Sequence, residues 1–368
     1  MHKNDPIPEA DLHTLDEEGK KFVSSVRLSR MILPVSLGII AVVYLFYRQF
    51  DPEKFRSISW SATAFLWLST AFVLLILRHL SYSFRLWTLS HHQFTFRKCM
   101  ELIVLWEFSS ALTPTAKGGP LVMLFVLTKE KLSAGRTAAA VFYTMICDTG
   151  FFVFLLPVLL LIYGPSMLFP GMEHFDDIGL ASGAFFFTYA VMAGYWILLS
   201  LFVFVKPGLG KSVLHWFARR PFLKKQSGKL DLLGDEFILA ADEMKAQKWH
   251  FHARVLLGTL GSWTGKFLMI NCIIIAVVPE TPVDGATQAF IYARLVAMFT
   301  IMAFSPTPGG AGLAEIALSG FISDYVPTGI GIVVALIWRG MAYYGYLLAG
   351  AIIVPAWIHA RYGNGKDV

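Results

Sequence analysis

The feature that most constrains this chain is a series of apolar runs long enough to cross a bilayer. Residues 31–48, 61–80, 137–163, 179–205, 255–278 and 330–357 form runs of about 18 to 28 residues, or about 27 to 42 Å as helix, against a hydrocarbon core of about 30 Å. In lipid the backbone has no water to bond, so such runs satisfy their own N–H and C=O groups as helices. Only 15% of the 368 residues are charged, against roughly 25% in soluble domains, and the mean hydropathy is +0.59. The reading is an all-α polytopic membrane protein with about six spanning helices.

The formal charge of +6 does not call for a nucleic-acid partner, because the basic residues cluster beside apolar runs, where they anchor topology. Lys20, Lys21, Arg27 and Arg30 precede the first run, Arg85, Arg97 and Lys98 follow the second, and Lys129, Lys131 and Arg136 precede the third. Loop 206–250 and the C-terminal tail are also basic, whereas loops 164–178, 279–286 and 323–329 contain no Lys or Arg. This places both termini in the cytoplasm. The layout is a tail over 1–30, a membrane domain over 31–358 and a tail over 359–368. No cleaved signal peptide is expected, since Asp16, Glu17 and Glu18 precede the first run and no small-residue cleavage site follows it. Within loop 206–250, Leu230, Leu233, Phe237, Ala240, Ala241 and Met244 recur at helical spacing opposite Asp235, Asp242 and Glu243, which predicts a surface helix packed on the membrane domain.

Two further apolar segments, 99–128 and 287–326, are broken by Pro and Gly. The first contains Thr113-Pro114-Thr-Ala-Lys117-Gly118-Gly119-Pro120, the second Ser305-Pro306-Thr-Pro308-Gly309-Gly310-Ala-Gly312. Proline removes a helix donor and the residue before it avoids the helical region, so neither segment continues as one straight helix. Gly119 and Asp148 are 29 residues apart, as are Gly310 and Arg339, so each break is followed at equal distance by an ionisable residue in the next apolar run. The chain thus reads as two repeats, about 31–165 and 179–358, each with one broken re-entrant hairpin. The loop charges make them inverted, the layout of many secondary transporters. A pair of ordinary kinked helices is the plainer alternative.

The glycine pairs would present free N–H groups to an anion, with Lys117 adding charge at the first break. Glu315 either stabilises the start of the helix after the second break or serves as a coupling group or a partner for a headgroup amine. Asp148 and Arg339 lie deep in apolar runs, where a charge facing lipid costs about 2.5–3.5 kcal/mol, so they are candidates to pair with each other. Lys266, Arg294, Arg78 and Glu107 are further ionisable residues in apolar stretches, whereas His91, His92, His250 and His252 mark solvated faces. Cys99, Cys147 and Cys272 have no metal-ligand spacing, and no nucleotide loop or catalytic serine elbow occurs; no metal, cofactor or enzymatic activity is expected.

With Thr113-Pro114-Thr-Ala-Lys-Gly118-Gly119, the Pro306-Thr-Pro308-Gly309-Gly310-Ala-Gly312-Leu-Ala-Glu315 element and the downstream Arg339, the chain resembles the transmembrane flippase domain of bacterial lysylphosphatidylglycerol synthases, the multiple peptide resistance factors. The likeness runs from about residue 25 to 360 and departs at Pro120-Leu-Val-Met, where the family tends to place an arginine. It implies a stand-alone member in the bacterial inner membrane, without the synthase domain, that carries a lipid between leaflets through a cavity between two re-entrant hairpins. On that reading the substrate site draws on Pro114, Lys117, Gly118, Gly119, Asp148, Lys266, Arg294, Pro306, Pro308, Gly309, Gly310, Glu315 and Arg339. The expected partner is a phospholipid or polyprenyl-linked lipid, with a homodimer and a cytoplasmic lipid-modifying enzyme as further candidates. Two other functions stay open: a secondary transporter of a small anion, and an accessory membrane subunit of a cell-envelope lipid or glycan synthase.

Overall fold

The structure is a computed structural model. It describes residues 58, 60–113, 118–168, 170–174, 179–209, 227–303, 305, 307, 309–310, 312–327 and 329–362, together with 47, 53, 56 and 212. Among these the regular structure is helical. In order the helices are α1 (Ala62–Leu89), α2 (Phe96–Leu112), α3 (Gly118–Lys129), α4 (Ala134–Tyr163), α5 (Gly179–Ser200), α6 (Ser227–Lys245), α7 (Trp249–Val277), α8 (Gly285–Met302), α9 (Leu313–Phe321), α10 (Gly331–Arg339) and α11 (Gly345–Tyr362). A π-helical turn over Leu201–Val205 extends α5, and another over Gly340–Tyr344 joins α10 to α11. Polar N-caps start four of the helices: Ser61, Thr95, Ser133 and Asp284 each accept a hydrogen bond from a backbone N–H of the first turn.

Six described segments are long and apolar enough to cross a membrane, namely Ala62–Leu89, Ala134–Tyr163, Gly183–Val205, Trp249–Val277, Gly285–Met302 and Gly331–Arg361. Five correspond to runs read from the sequence, and the run 31–48, residue 47 apart, lies outside the described residues. The sixth lies within a segment read from the sequence as a re-entrant hairpin. Gly285–Met302 is the first arm of the second broken segment, and its 18 residues, about 27 Å, suffice for a crossing because the prolines come late in the apolar run. Both broken segments do fold as helix, break, helix, with α2 packed on α3 and α8 packed on α9. A correction concerns α1, which runs on to Leu89 rather than ending near residue 80.

Helix α7 is central: 67% of its most apolar window is buried, against 17–44% for the other candidate spans. Its most extensive contact is with α1. A stripe of small residues on α7 permits this approach. A Cβ on Gly258 would fall 2.9 Å from the Ser81 carbonyl oxygen, and one on Gly261 would fall 2.6 Å from the Ser81 hydroxyl. The same close packing brings the polar face of α1, with Arg78, Tyr82 and Arg85, against Trp263 and Lys266 of α7.

The amphipathic helix of the large loop forms as expected. Phe237, Ala240, Ala241 and Met244 are buried, and α6 packs on α4, whose Gly135 amide donates to Glu236. The side chains of Leu230 and Leu233 lie outside the described residues.

The turn after α3 is tied to the ends of α2 and α11 through Glu130. Its carboxylate accepts from Trp357 Nε1 at 2.6 Å, from Lys98 at 3.1 Å and from Arg361. Burial pushes this carboxyl up, but the hydrogen bonds from Trp357, Arg361 and Lys98 outweigh it and hold it below the usual carboxylate range. A depressed folded value means that the contribution to stability is present above the unfolded value, about 4.3, and is lost as pH falls through the folded one. Glu130→Gln is therefore expected to lower the melting temperature in detergent by about 2–4 °C at pH 7. The gap from wild type should close below about pH 4, and a gap independent of pH would contradict this.

Candidate functional site

A cavity of about 460 Å³ lies inside the helix bundle, walled by α1, α2, α4, α5, α7, α8, α10 and the π-helical turn, and it reaches the tips of both broken segments. Ser110, Ala111 and Pro120 line it from the first segment and Ser305, Thr307, Gly309 and Gly310 from the second. Among the described residues, six charged ones line it: Arg78, Arg85, Lys266, Arg339, Glu107 and Asp148.

The arginines are committed to specific carboxylates. Arg78 donates to Glu107 at 2.8 Å and to the Tyr346 hydroxyl at 3.1 Å. Arg85 grips Asp148 with both terminal nitrogens, at 2.6 and 3.1 Å, and Trp263 Nε1 donates to the same carboxylate at 2.9 Å. Arg339 Nε donates to Glu315 Oε1 at 2.8 Å, and the Glu315 side chain is 0% exposed. The expected pairing of Asp148 with Arg339 is thus wrong. Each takes a nearer partner because α1 carries Arg85 past Asp148, while the turn after the second break delivers Glu315 beneath Arg339. A buried ion pair needs its remaining polar atoms satisfied. Here Arg339 Nη2, Glu315 Oε2 and the neighbouring Trp338 Nε1 are buried with no hydrogen-bond partner.

Arg339 and the π-helical turn after it join the two breaks. Arg339 Nη1 donates to the Gly309 carbonyl at 2.8 Å, and its guanidinium lies 4.0 Å from the centroid of the Tyr343 ring. The Tyr343 hydroxyl reaches across to the Ala111 carbonyl of the first segment at 3.1 Å. The extra residue of a π-helical turn rotates the side chains that follow it, and such turns recur at functional sites. Gly309 and Gly310 adopt φ of +57° and +70°, the left-handed region open to glycine. Of the expected amide cradle, the Gly310 N–H is already bonded to the Thr307 carbonyl, and Gly309 offers its carbonyl to Arg339. The left-handed turn directs these groups inward to close itself.

Of the residues expected at a site, Asp148, Lys266, Gly309, Gly310 and Arg339 line this cavity, with Glu315 directly behind Arg339. Gly118 opens α3, and Gly119 packs against Ser110, where a Cβ would overlap the hydroxyl. Pro114, Lys117, Pro306 and Pro308 lie outside the described residues. Arg294 is elsewhere. Its guanidinium pairs with Asp324 at 2.7 Å and donates to the carbonyls of Ser166 and Phe321, at the C-terminal end of α9, where carbonyls attract a cation. Arg85 was missed by the sequence reading, which left it in a cytoplasmic loop. The spacing of Arg78, Tyr82 and Arg85, one helical face continuing past the apolar run, was the available signal. His252, expected on a solvated face, instead pairs with the Tyr143 hydroxyl at 2.5 Å.

A family model described as the lysylphosphatidylglycerol synthase TM region matches residues 31–350. The chain is also 24% identical over 339 residues to a UPF0104 membrane protein of Archaeoglobus fulgidus, an alignment covering 87% of this chain and 94% of that protein. No solved structure matches the chain.

Proposed function

The chain belongs to the family of the lysylphosphatidylglycerol synthase TM region, and we propose that this multi-pass membrane protein is a lipid translocase that moves a phosphate-bearing lipid between leaflets. The observation that carries the reading is a charged cavity between two helix–break–helix segments. Backbone that leaves the helix inside a membrane is tolerated where it lines such a cavity. Ionisable residues in the membrane interior pair with one another and mark a substrate path.

A lipid must keep its tails in the bilayer while its headgroup is sheltered. Val191 of α5, 38% exposed, lines the cavity, and this wall is where a headgroup would enter from the bilayer. Transport then proceeds by alternating access, with the two broken segments exchanging which leaflet the cavity faces. Asp148 and Glu315, each bonded to an arginine, are the groups whose protonation would release those arginines to the cargo.

The test is leaflet exchange of fluorescent phosphatidylglycerol and phosphatidylethanolamine analogues in proteoliposomes, read with an impermeant quencher. Wild type is expected to speed exchange over empty vesicles, and Asp148→Asn and Arg339→Lys to slow it by at least about tenfold while remaining monodisperse. Both folded variants working at the wild-type rate would sink the proposal. So would saturable uptake of a water-soluble anion with no lipid movement.

A further inference from the structure

Among the described residues the cavity's charges do not cancel. Arg78 is matched by Glu107, Arg85 by Asp148 and Arg339 by Glu315. Lys266, from the middle of α7, is the fourth cation, and among the described residues it makes no ion pair. Its ammonium lies instead over two aromatic faces, 4.8 Å from the Trp263 ring centroid and 4.2 Å from that of Phe299. Ring quadrupoles attract a cation without neutralising it, so one positive charge is left over in a site where an uncompensated charge is costly. Among the described residues, four cations against three carboxylates leave a surplus of one.

We propose that the headgroup taken into this cavity carries one net negative charge, a phosphodiester esterified to an uncharged polar alcohol, and that Lys266 is the residue that selects it. The inference rests on the translocase reading and narrows its substrate class. A phosphodiester monoanion supplies the one missing counter-charge. A zwitterionic or cationic headgroup brings an ammonium that needs a carboxylate, and both carboxylates lining the cavity already hold an arginine at 2.6–2.8 Å. A phosphomonoester or pyrophosphate brings a second charge for which no further unpaired cation is present among the described lining residues. Hydroxyls of Ser110, Thr149 and Thr307 on the same walls suit an alcohol headgroup.

The experiment is a charge series in the same exchange assay, with chain-matched phosphatidylglycerol, phosphatidylethanolamine, phosphatidylcholine and a polyprenyl phosphate. Wild type is expected to move phosphatidylglycerol about tenfold faster than the other three. Lys266→Gln should bring it to within about threefold of the zwitterions, and Lys266→Arg should keep the preference. Exchange of all four lipids at similar rates would overturn the charge inference and leave the translocase reading standing. Exchange of none of them would overturn both, and uptake of soluble glycerophosphoglycerol in place of lipid exchange would overturn the lipid source. The wild-type series decides the matter even where Lys266→Gln fails to fold.

Discussion

Arg339→Gln is expected to cost about 3–5 kcal/mol of stability, because it strands the fully buried Glu315 carboxylate without its partner and leaves the Gly309 carbonyl unmet. Removing both charges should cost much less. In Arg339→Met combined with Glu315→Leu, no ion is left behind, and two apolar side chains of similar reach fill the space, an exchange that is often neutral for buried pairs. With Arg339→Met and Glu315→Leu as the single variants, this is a double-mutant cycle, read as thermal unfolding in detergent, with a coupling energy of at least about 2 kcal/mol. Additive losses would mean that Arg339 and Glu315 do not act as one buried unit. The same double variant, if stable, should still fail to exchange lipid, which separates the structural role of the pair from its role at the cavity wall.

The second large effect is expected at Gly309. Alanine there adopts a left-handed conformation at a cost of about 1–2 kcal/mol, and its Cβ would fall 2.2 Å from Cε2 of Tyr343, well inside contact. The ring must then move. That move breaks its bond to the Ala111 carbonyl and its stacking on Arg339, the contacts that join one broken segment to the other. Gly309→Ala should therefore slow leaflet exchange by at least about tenfold and lower the melting temperature by several degrees, about 4 °C or more. In a Tyr343→Leu background the overlap is relieved and only the backbone cost remains, so the added loss from Gly309→Ala should be smaller. Equal losses in both backgrounds would show that Tyr343 does not hold the tip.

Much of this molecule was determined by properties that are local along the chain. A run of some twenty apolar residues can satisfy its backbone in lipid only as helix, so the helical class and five of the candidate spans follow without tertiary information. A proline lacks the donor a helix needs, so both breaks are set by residue type. Charges such as Asp148, Lys266 and Arg339 cannot face lipid cheaply, so their burial at an internal site follows from their position in apolar runs. Membership of this family is likewise carried by residue patterns along the chain.

What sequence reasoning could not supply was partner, rotation and depth. Asp148 belongs with Arg85 and Arg339 with Glu315 because the close α1–α7 packing and the left-handed turn at Gly309 and Gly310 set which helix faces meet. Arg85 was assigned to a loop because the apolar run ends before the helix does, and only packing against α7 shows that α1 stays inside the bundle to Leu89. Arg294 looked equivalent to the other buried cations, yet its place near the end of α9 commits it to carbonyls and Asp324. An ion pair is a contact a few ångströms long between groups tens or hundreds of residues apart, so its existence is decided by helix placement. The chain by itself determined that this protein is helical, membrane-spanning and broken at two points. Tertiary structure alone decided that, among the described residues at the cavity, three arginines are neutralised and one lysine is left without a carboxylate.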